Sequence, residues 1–237
     1  MHAMGLGEIA ALTTAVSWAG SIHIHTLASR ILGGVNVTIA RIPLYVTALG
    51  LTVLLTGAQT NMPAGALVFM LLSALTGVAV CDPLVYSAAV ILGPRIASLV
   101  QSLSACLTAI LGYLFLGEYI NLTGWIGILL ASAGVAFVLM EGGLKPGADL
   151  SGLSHAQLIK GMVCAFLSAL TLALSFLTIK QALLLGMDPV WASFVRMGLG
   201  GIMLWCIMLF RGKLFAVLRE AWTSWRIMRL LIVGALV

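Results

Sequence analysis

The chain has 237 residues, 62% of them hydrophobic and 8% charged, with a mean hydropathy of +1.16 and a formal net charge of +5. A soluble domain carries about 45–50% apolar and about 25% charged residues, so this composition excludes a soluble globular protein and describes an integral membrane protein with the lipid bilayer as its first partner. In a polytopic chain the positive balance belongs to loops that set orientation, so it is no sign of nucleic-acid binding.

Apolar runs of about 20 residues, the length of a membrane-crossing helix, recur along the sequence. None alternates as an outer-membrane strand would, so the fold class is all-α and polytopic. The runs predict spans over about Gly7–Ser29, Asn36–Thr56, Gly65–Ile91, Pro94–Gly117, Thr123–Met140, Ile159–Leu185 and Pro189–Phe210, with an eighth beginning near Ile227. The first is too long and too weakly basic at its start for a cleaved signal peptide.

The first span carries "SIHIHT". Two positions along an α-helix turn a side chain by about 200°, so His23 and His25 face different ways. A helical metal pair needs a spacing of three or four, and no metal is expected. His25 shares a face with Trp18, Ser21 and Ile22, whereas His23 lines up with Ala19, Thr26 and Leu27. An imidazole titrates near physiological pH. His25 is therefore the better candidate for coupling, with an interhelical hydrogen bond as the alternative.

Arg41 lies a few residues into the second span, where it either snorkels, packs against another helix, or touches substrate. In the third span Pro83 is expected to kink the helix. Asp82 before it either caps the segment after the kink or serves as a coupling carboxylate. Tyr86 lines a cavity or packs. Pro94 suits the first turn of the fourth span. There Ser98, Ser102, Ala105, Ala109 and Gly112 form a small-residue stripe flanked by Gln101. The fifth span repeats the device with Gly127, Ala131 and Gly134. Such stripes let membrane helices approach closely, and Gln101 and Ser102 are also natural cavity-lining groups. Glu118 in "LGE" belongs at the interface. The four cysteines (Cys81, Cys106, Cys164, Cys206) fall one per apolar run and read as small hydrophobes.

The clearest break is "EGGLKPGADLSGLSHAQLIK". It divides residues 1–140, a five-span unit, from an incomplete second unit at 159–237, with a linker over 141–158. Lys180 and Arg196 are the basic residues within the later spans. Beyond them "RGKLFAVLREAWTSWRIMR" suits a segment at the membrane surface. Sliding the chain on itself by about 155 residues lays Arg41 on Arg196, Gly57 on Gly212 and His25 on Lys180. An odd number of spans per repeat makes the halves inverted, a recurrent transporter architecture with the substrate site at the repeat interface.

Residues 82–139, "DPLVYSAAVILGPRIASLVQSLSACLTAILGYLFLGEYINLTGWIGILLASAGVAFVL", resemble the third-to-fifth helices of EamA-type members of the drug/metabolite transporter superfamily. "SWAGS" followed by Arg41 in "ARIP" is similar to the opening of the same repeat. The resemblance implies two five-helix inverted repeats, ten helices in all, of which about seven and a half are present here. It implies a secondary transporter of the bacterial cytoplasmic membrane that exports small polar metabolites such as amino acids by alternating access. Trp18, Ser21, His25, Arg41, Asp82, Tyr86, Gln101, Ser102, Lys180 and Arg196 are its candidate substrate or coupling residues, and no cofactor is expected. Where the family often has a proline in the fourth helix, this sequence has Ala105. Ending inside an eighth helix, the chain reads as truncated, or as a subunit that needs a partner in a homo- or hetero-dimer.

An ATP-driven pump would need a GxxxxGK[ST] loop and an intramembrane enzyme a G-x-S-x-G, zinc or paired-aspartate element; the sequence contains none of them. Assigning loops alternately puts Arg30, Arg95, Lys145, Lys160, Arg211, Lys213, Arg219, Arg226 and Arg229 on one side of the membrane. By the positive-inside rule that side is cytoplasmic and the N-terminus lies outside. A topology reporter inserted within residues 143–156 is expected to read out in the cytoplasm; a periplasmic readout reverses the orientation.

Overall fold

The computed structural model describes residues 6–142 and 153–236. Most of the linker, with Lys145, lies outside the described residues. Within them the chain forms nine helices: α1 Leu6–Leu32, α2 Gly34–Thr56, α3 Ala66–Leu92, α4 Pro94–Leu116, α5 Leu122–Gly142, α6 His155–Leu184, α7 Pro189–Phe210, α8 Leu214–Thr223 and α9 Trp225–Leu236. Six of them, α2 to α7, are long and apolar enough to cross a membrane. The protein is an all-helical, polytopic membrane protein.

Two of the single-residue joints are glycines. Gly33 (φ +86°) links α1 to α2, and Gly93 (φ +85°) links α3 to α4. Both have positive φ, which a side chain disfavours. Pro94 follows Gly93 as the first residue of α4, where its missing N–H leaves no bond unmade. α6 begins four residues before the apolar run predicts. Ser154 and Gln157 form a reciprocal cap, with Gln157 N donating to Ser154 Oγ and Ser154 N to Gln157 Oε1. Asp188 caps α7 by accepting from the backbone N–H groups of Val190 and Trp191.

The proline in α3 acts through a local change of helix type. Residues Leu75–Cys81 form a π-helical stretch immediately ahead of Asp82 and Pro83. Proline has no N–H and its ring crowds the carbonyl four residues back. Widening the preceding turn to a π pattern relieves that crowding. Pro43 in α2 is handled differently. It strips Ile39 of its intrahelical donor, and the indole N–H of Trp205 on α7 donates to that carbonyl at 3.3 Å. A neighbouring helix thus re-satisfies a backbone group that lipid could not.

α4 bends without a proline. It breaks between Gln101 and Leu103, where Ser102 Oγ donates to Leu99 O at 2.6 Å and Ser98 Oγ donates to Arg95 O at 3.1 Å. Serine hydroxyls that bond back along a helix bend it. The bend is therefore three residues before Ala105, and it leaves Ser102 exposed on the outer side.

The body of the molecule is made by α3 against α6, α7 and α2, α4 against α6, α2 against α7, and α1 against α9. Small residues set their separation. A Cβ on Gly34 would lie 2.7 Å from the backbone N of Ser87, and one on Gly201 would lie 2.6 Å from Ile42 Cγ2. The amphipathic helix α8 docks through Leu214 and Val217 onto Ile39, Ile42, Leu204 and Met208, while its Ala221 joins Ala28, Leu32 and Ile227. By contrast the small stripe of α5 finds no neighbour. A Cβ on Gly127 or Gly134 would meet nothing within 4 Å, and Ala105 of the α4 stripe is exposed. The expectation of close packing is thus not met at Gly127 and Gly134 of α5 nor at Ala105 of α4 among the described residues, whereas Gly112 of the α4 stripe is buried. Spacing marks a smooth surface without naming what covers it.

Gly34→Ala is expected to lower stability by about 1–3 kcal/mol through overpacking against unyielding backbone, and Gly127→Ala to leave it unchanged. Thermal unfolding of the detergent-solubilised protein checks the contrast; equal effects would refute the packing account.

Candidate functional site

The polar side chains of the interior gather along one face of α3. Asp82 and Tyr86 are four residues apart on α3, and Arg41 and Tyr45 are four apart on α2, so each pair projects from one helix face. The two faces meet. Arg41 forms an ion pair with Asp82, and its Nη1 donates to Tyr86 Oη at 2.8 Å. Its guanidinium carbon also sits 4.8 Å from the Tyr45 ring centroid and 5.1 Å from that of Tyr86, within cation–π range. Arg41 is only 3% exposed and Asp82 only 7%. Arg41 thus neither snorkels nor stands open; it is held between helices by charge, hydroxyl and ring. Asp82 reaches across to α2 and so acts as a partner for that guanidinium, where the sequence had favoured a cap.

His25 borders this group from α1. It is fully buried, with its ring 5.5 Å from that of Tyr86 and 6.3 Å from that of Tyr45. Nδ1 lies 2.9 Å from the Ser21 carbonyl, which can only accept, so Nδ1 carries the proton. The Ser21 hydroxyl donates to Gly234 O on α9 at 2.8 Å and accepts from the same Nδ1 at 3.0 Å. Tyr45 Oη donates to that carbonyl too, at 3.3 Å. Nε2 is left as a buried acceptor with no partner among the described residues. His23, two residues away, is exposed and donates or accepts only at the Ala19 carbonyl of its own helix; since a carbonyl accepts, Nδ1 donates there as well. The opposed facing of the two histidines follows from helical spacing.

Farther along α3 lies a second group. Arg196 is the eighth residue of α7, as Arg41 is of α2. Its Nη2 stands 2.6 Å from where a Cβ of Gly77 would be, so the π-helical stretch receives the guanidinium only because residue 77 has no side chain. Asp82 and Cys81 are its electrostatic neighbours. Ser73 and Ser175 exchange hydrogen bonds between α3 and α6, each hydroxyl donating to the other's carbonyl at 3.0 and 2.9 Å. Gln101 bridges α4 to both helices, accepting from Ser168 Oγ at 2.6 Å and donating to Cys81 Sγ at 3.5 Å.

The remaining sequence candidates lie apart. Trp18 is half-buried on α1, one turn from Ser21 and Ile22. Ser102 faces outward. Lys180 does not face the interior: it pairs with Glu118 at 2.6 Å in a contact where both side chains are well exposed, 49% and 39%. Its alignment with His25 in the shifted sequence therefore joins two unlike environments. An exposed pair of this kind contributes about 0–1 kcal/mol. Tyr45, Ser73, Gly77, Ser175 and Gly234 escaped the sequence reading. The position of Tyr45, one helical turn beyond Arg41, is the one local signal that could have found any of them.

These observations place charged and hydrogen-bonding groups at a helix seam inside a bilayer-spanning body, and the sequence matches the EamA-like transporter family over residues 5–140. The chain belongs to that family. The match covers α1 to α5 and so includes Arg41, Asp82, Tyr86 and His25. No curated protein and no solved structure matches the chain. As an EamA-like protein it is a membrane transporter of the drug/metabolite type. Its polar seam is distinct from a crevice of about 280 Å3 between α4, α5 and α6, which is lined by Leu103, Leu107, Ile110, Val135 and Phe166 and carries no charge.

Removing one partner of a buried ion pair strands the other. Asp82→Asn strands the Arg41 guanidinium and is expected to cost about 3–5 kcal/mol. Arg41→Gln strands Asp82 in the same way and is expected to cost a similar amount. Unfolding midpoints of the two variants in one detergent test this, and an undiminished midpoint in either would contradict the buried pair.

Proposed function

We propose that this EamA-like chain is a secondary transporter that exports small polar metabolites, amino acids among them, across the bacterial cytoplasmic membrane. It works by alternating access between two inverted repeats, residues 1–140 and 159–237, joined by the linker at 141–158. The observation that carries this reading is the polar seam along α3, where Arg41, Asp82, Tyr86 and His25 form one group and Gln101 and Arg196 belong to a second, drawn from α1, α2, α3, α4 and α7.

The helix pairing supports the repeat. Take α1, α2 and α3 as the first three helices of one half, and α6, α7 and α9 as their counterparts. The first then pairs with the third, the second with the second and the third with the first. Exchanging the halves leaves this set unchanged, as a two-fold axis in the membrane plane would require. Arg41 and Arg196, each eighth in the second helix of its half, follow the same relation. Small residues at the crossings, such as Gly77 against Arg196 and Gly234 against His25, bring the two halves into close contact. The orientation with the N-terminus outside is supported by Arg30, Arg95, Lys160, Arg211, Lys213, Arg219, Arg226 and Arg229, all exposed and all on one side in the alternating assignment.

Counterflow of labelled small polar solutes in proteoliposomes tests the reading. Accumulation above empty liposomes is expected, and its absence for every solute of a broad panel sinks it. Within that assay His25→Asn, which retains a donor towards Ser21 but cannot titrate, is expected to flatten the pH dependence of flux. His23→Ala should leave the profile unchanged. Equal effects from the two would remove His25 from the mechanism.

A further inference from the structure

The charges inside the described helices do not balance. Lys180 and Glu118 neutralise each other at the edge of the molecule. In the interior Arg41 faces the carboxylate of Asp82, while a second guanidinium, that of Arg196, lies against Gly77 of the same helix as Asp82. Asp82 is committed to Arg41, which has in addition the Tyr86 hydroxyl and two aromatic faces. Arg196 has neither an ion-pair nor a hydrogen-bond partner among the described residues.

Its position removes the usual explanation for an arginine in a membrane helix. A snorkelling side chain carries its charge to the headgroups. The Arg196 guanidinium instead lies against Gly77, the twelfth residue of the 27-residue α3. At about 1.5 Å per residue that is roughly 17 Å from one end of α3 and about 23 Å from the other. An unpaired guanidinium at such depth costs about 2.5–3.5 kcal/mol even on insertion scales, and the fold makes room for it by keeping residue 77 free of a side chain. Unlike Arg41, Arg196 keeps part of its surface accessible. A guanidinium offers a planar fork of donors that matches a carboxylate or a phosphate in two parallel hydrogen bonds.

We infer that Arg196 is the docking point for an anionic group, a carboxylate or a phosphate, on the transported solute. The inference rests on the transporter reading for the word transported, though not for the binding itself. A solute bearing such a group completes the charge balance of the seam, whereas a cationic solute adds to the excess.

Binding is read first, as the shift in unfolding midpoint of the purified full-length chain in detergent, with succinate, inorganic phosphate, the cation glycinamide, or phosphatidylglycerol, at ionic strength matched with sodium chloride. Succinate or phosphate should raise the midpoint above the chloride baseline and glycinamide should not. Arg196→Gln should weaken anion binding by about tenfold or more, with Arg196→Lys intermediate because it keeps charge and loses the fork. The ligand-free midpoint of Arg196→Gln should equal or exceed that of the parent, whereas Arg41→Gln lowers it. Four results would overturn the inference: no anion-dependent shift, an undiminished shift in Arg196→Gln, a shift with phosphatidylglycerol alone, or a loss of ligand-free stability in Arg196→Gln as large as in Arg41→Gln. Counterflow separates the two readings. An anion shift without flux keeps the docking point and removes the transporter, while flux of neutral solutes without an anion shift does the opposite.

Discussion

The ion pair between Arg41 and Asp82 is the constraint around which the interior is arranged. Two opposite charges withdrawn from water are held only if their geometry and further hydrogen bonds replace lost hydration. Here that replacement comes from Tyr86 and Tyr45, one helical turn from Asp82 and Arg41 respectively. The pair fixes the rotation of α2 and α3 about their own axes, since turning either helix by one residue would put a charge into lipid. Gly34 fixes their separation by bringing α2 onto the backbone of α3 at Ser87. Direction and distance together leave one register.

From that register the rest of the seam follows. With Asp82 turned towards α2, the preceding π-helical turn carries Gly77 and Cys81 round to face α6, α7 and α4, where they meet Ser175, Arg196 and Gln101. An uninterrupted α-helix would rotate these residues relative to Asp82 and could not serve both faces at once. Pro83 is thus less a simple kink than the cause of a change in helical phase. On the other side α9 presses its Gly234 backbone on the His25 ring, and the Ser21 hydroxyl and Tyr45 share the Gly234 carbonyl beside it. Membrane helices have little hydrophobic force between them, and these close glycine contacts and hydrogen bonds supply the association instead.

Much of the fold was legible in the residues. Composition and run length gave the helical membrane class, Pro94 and Pro189 marked helix starts, and the two-residue spacing of His23 and His25 separated their environments. Family resemblance over residues 82–139 anticipated the match over residues 5–140. Other features were not legible, each for a physical reason. Whether Arg41 snorkels or pairs depends on what stands opposite, which no single helix encodes. Asp82 next to a proline looks like a cap in one dimension and is an ion-pair partner in three. The stripe on α5 has the spacing of a packing face, yet a Cβ at its Gly127 or Gly134 would meet nothing among the described residues. Lys180 falls on His25 when the chain is slid along itself, but lies at the edge of the bundle with Glu118.

By itself the sequence determined that the chain must live in a bilayer, where its helices run, which residues share a helical face and which loops carry the positive charge. These follow from hydropathy and from the periods of the backbone, both local properties. Only the tertiary structure decided which charges meet. Pairing across α2, α3 and α7 is a relation among residues 41, 82 and 196, set by helix rotation, by the π-helical phase change and by glycines at the crossings. That is why two arginines alike in the sequence differ in the molecule: Arg41 is neutralised by Asp82 and two tyrosines, and Arg196 is held against Gly77 with its charge unmatched.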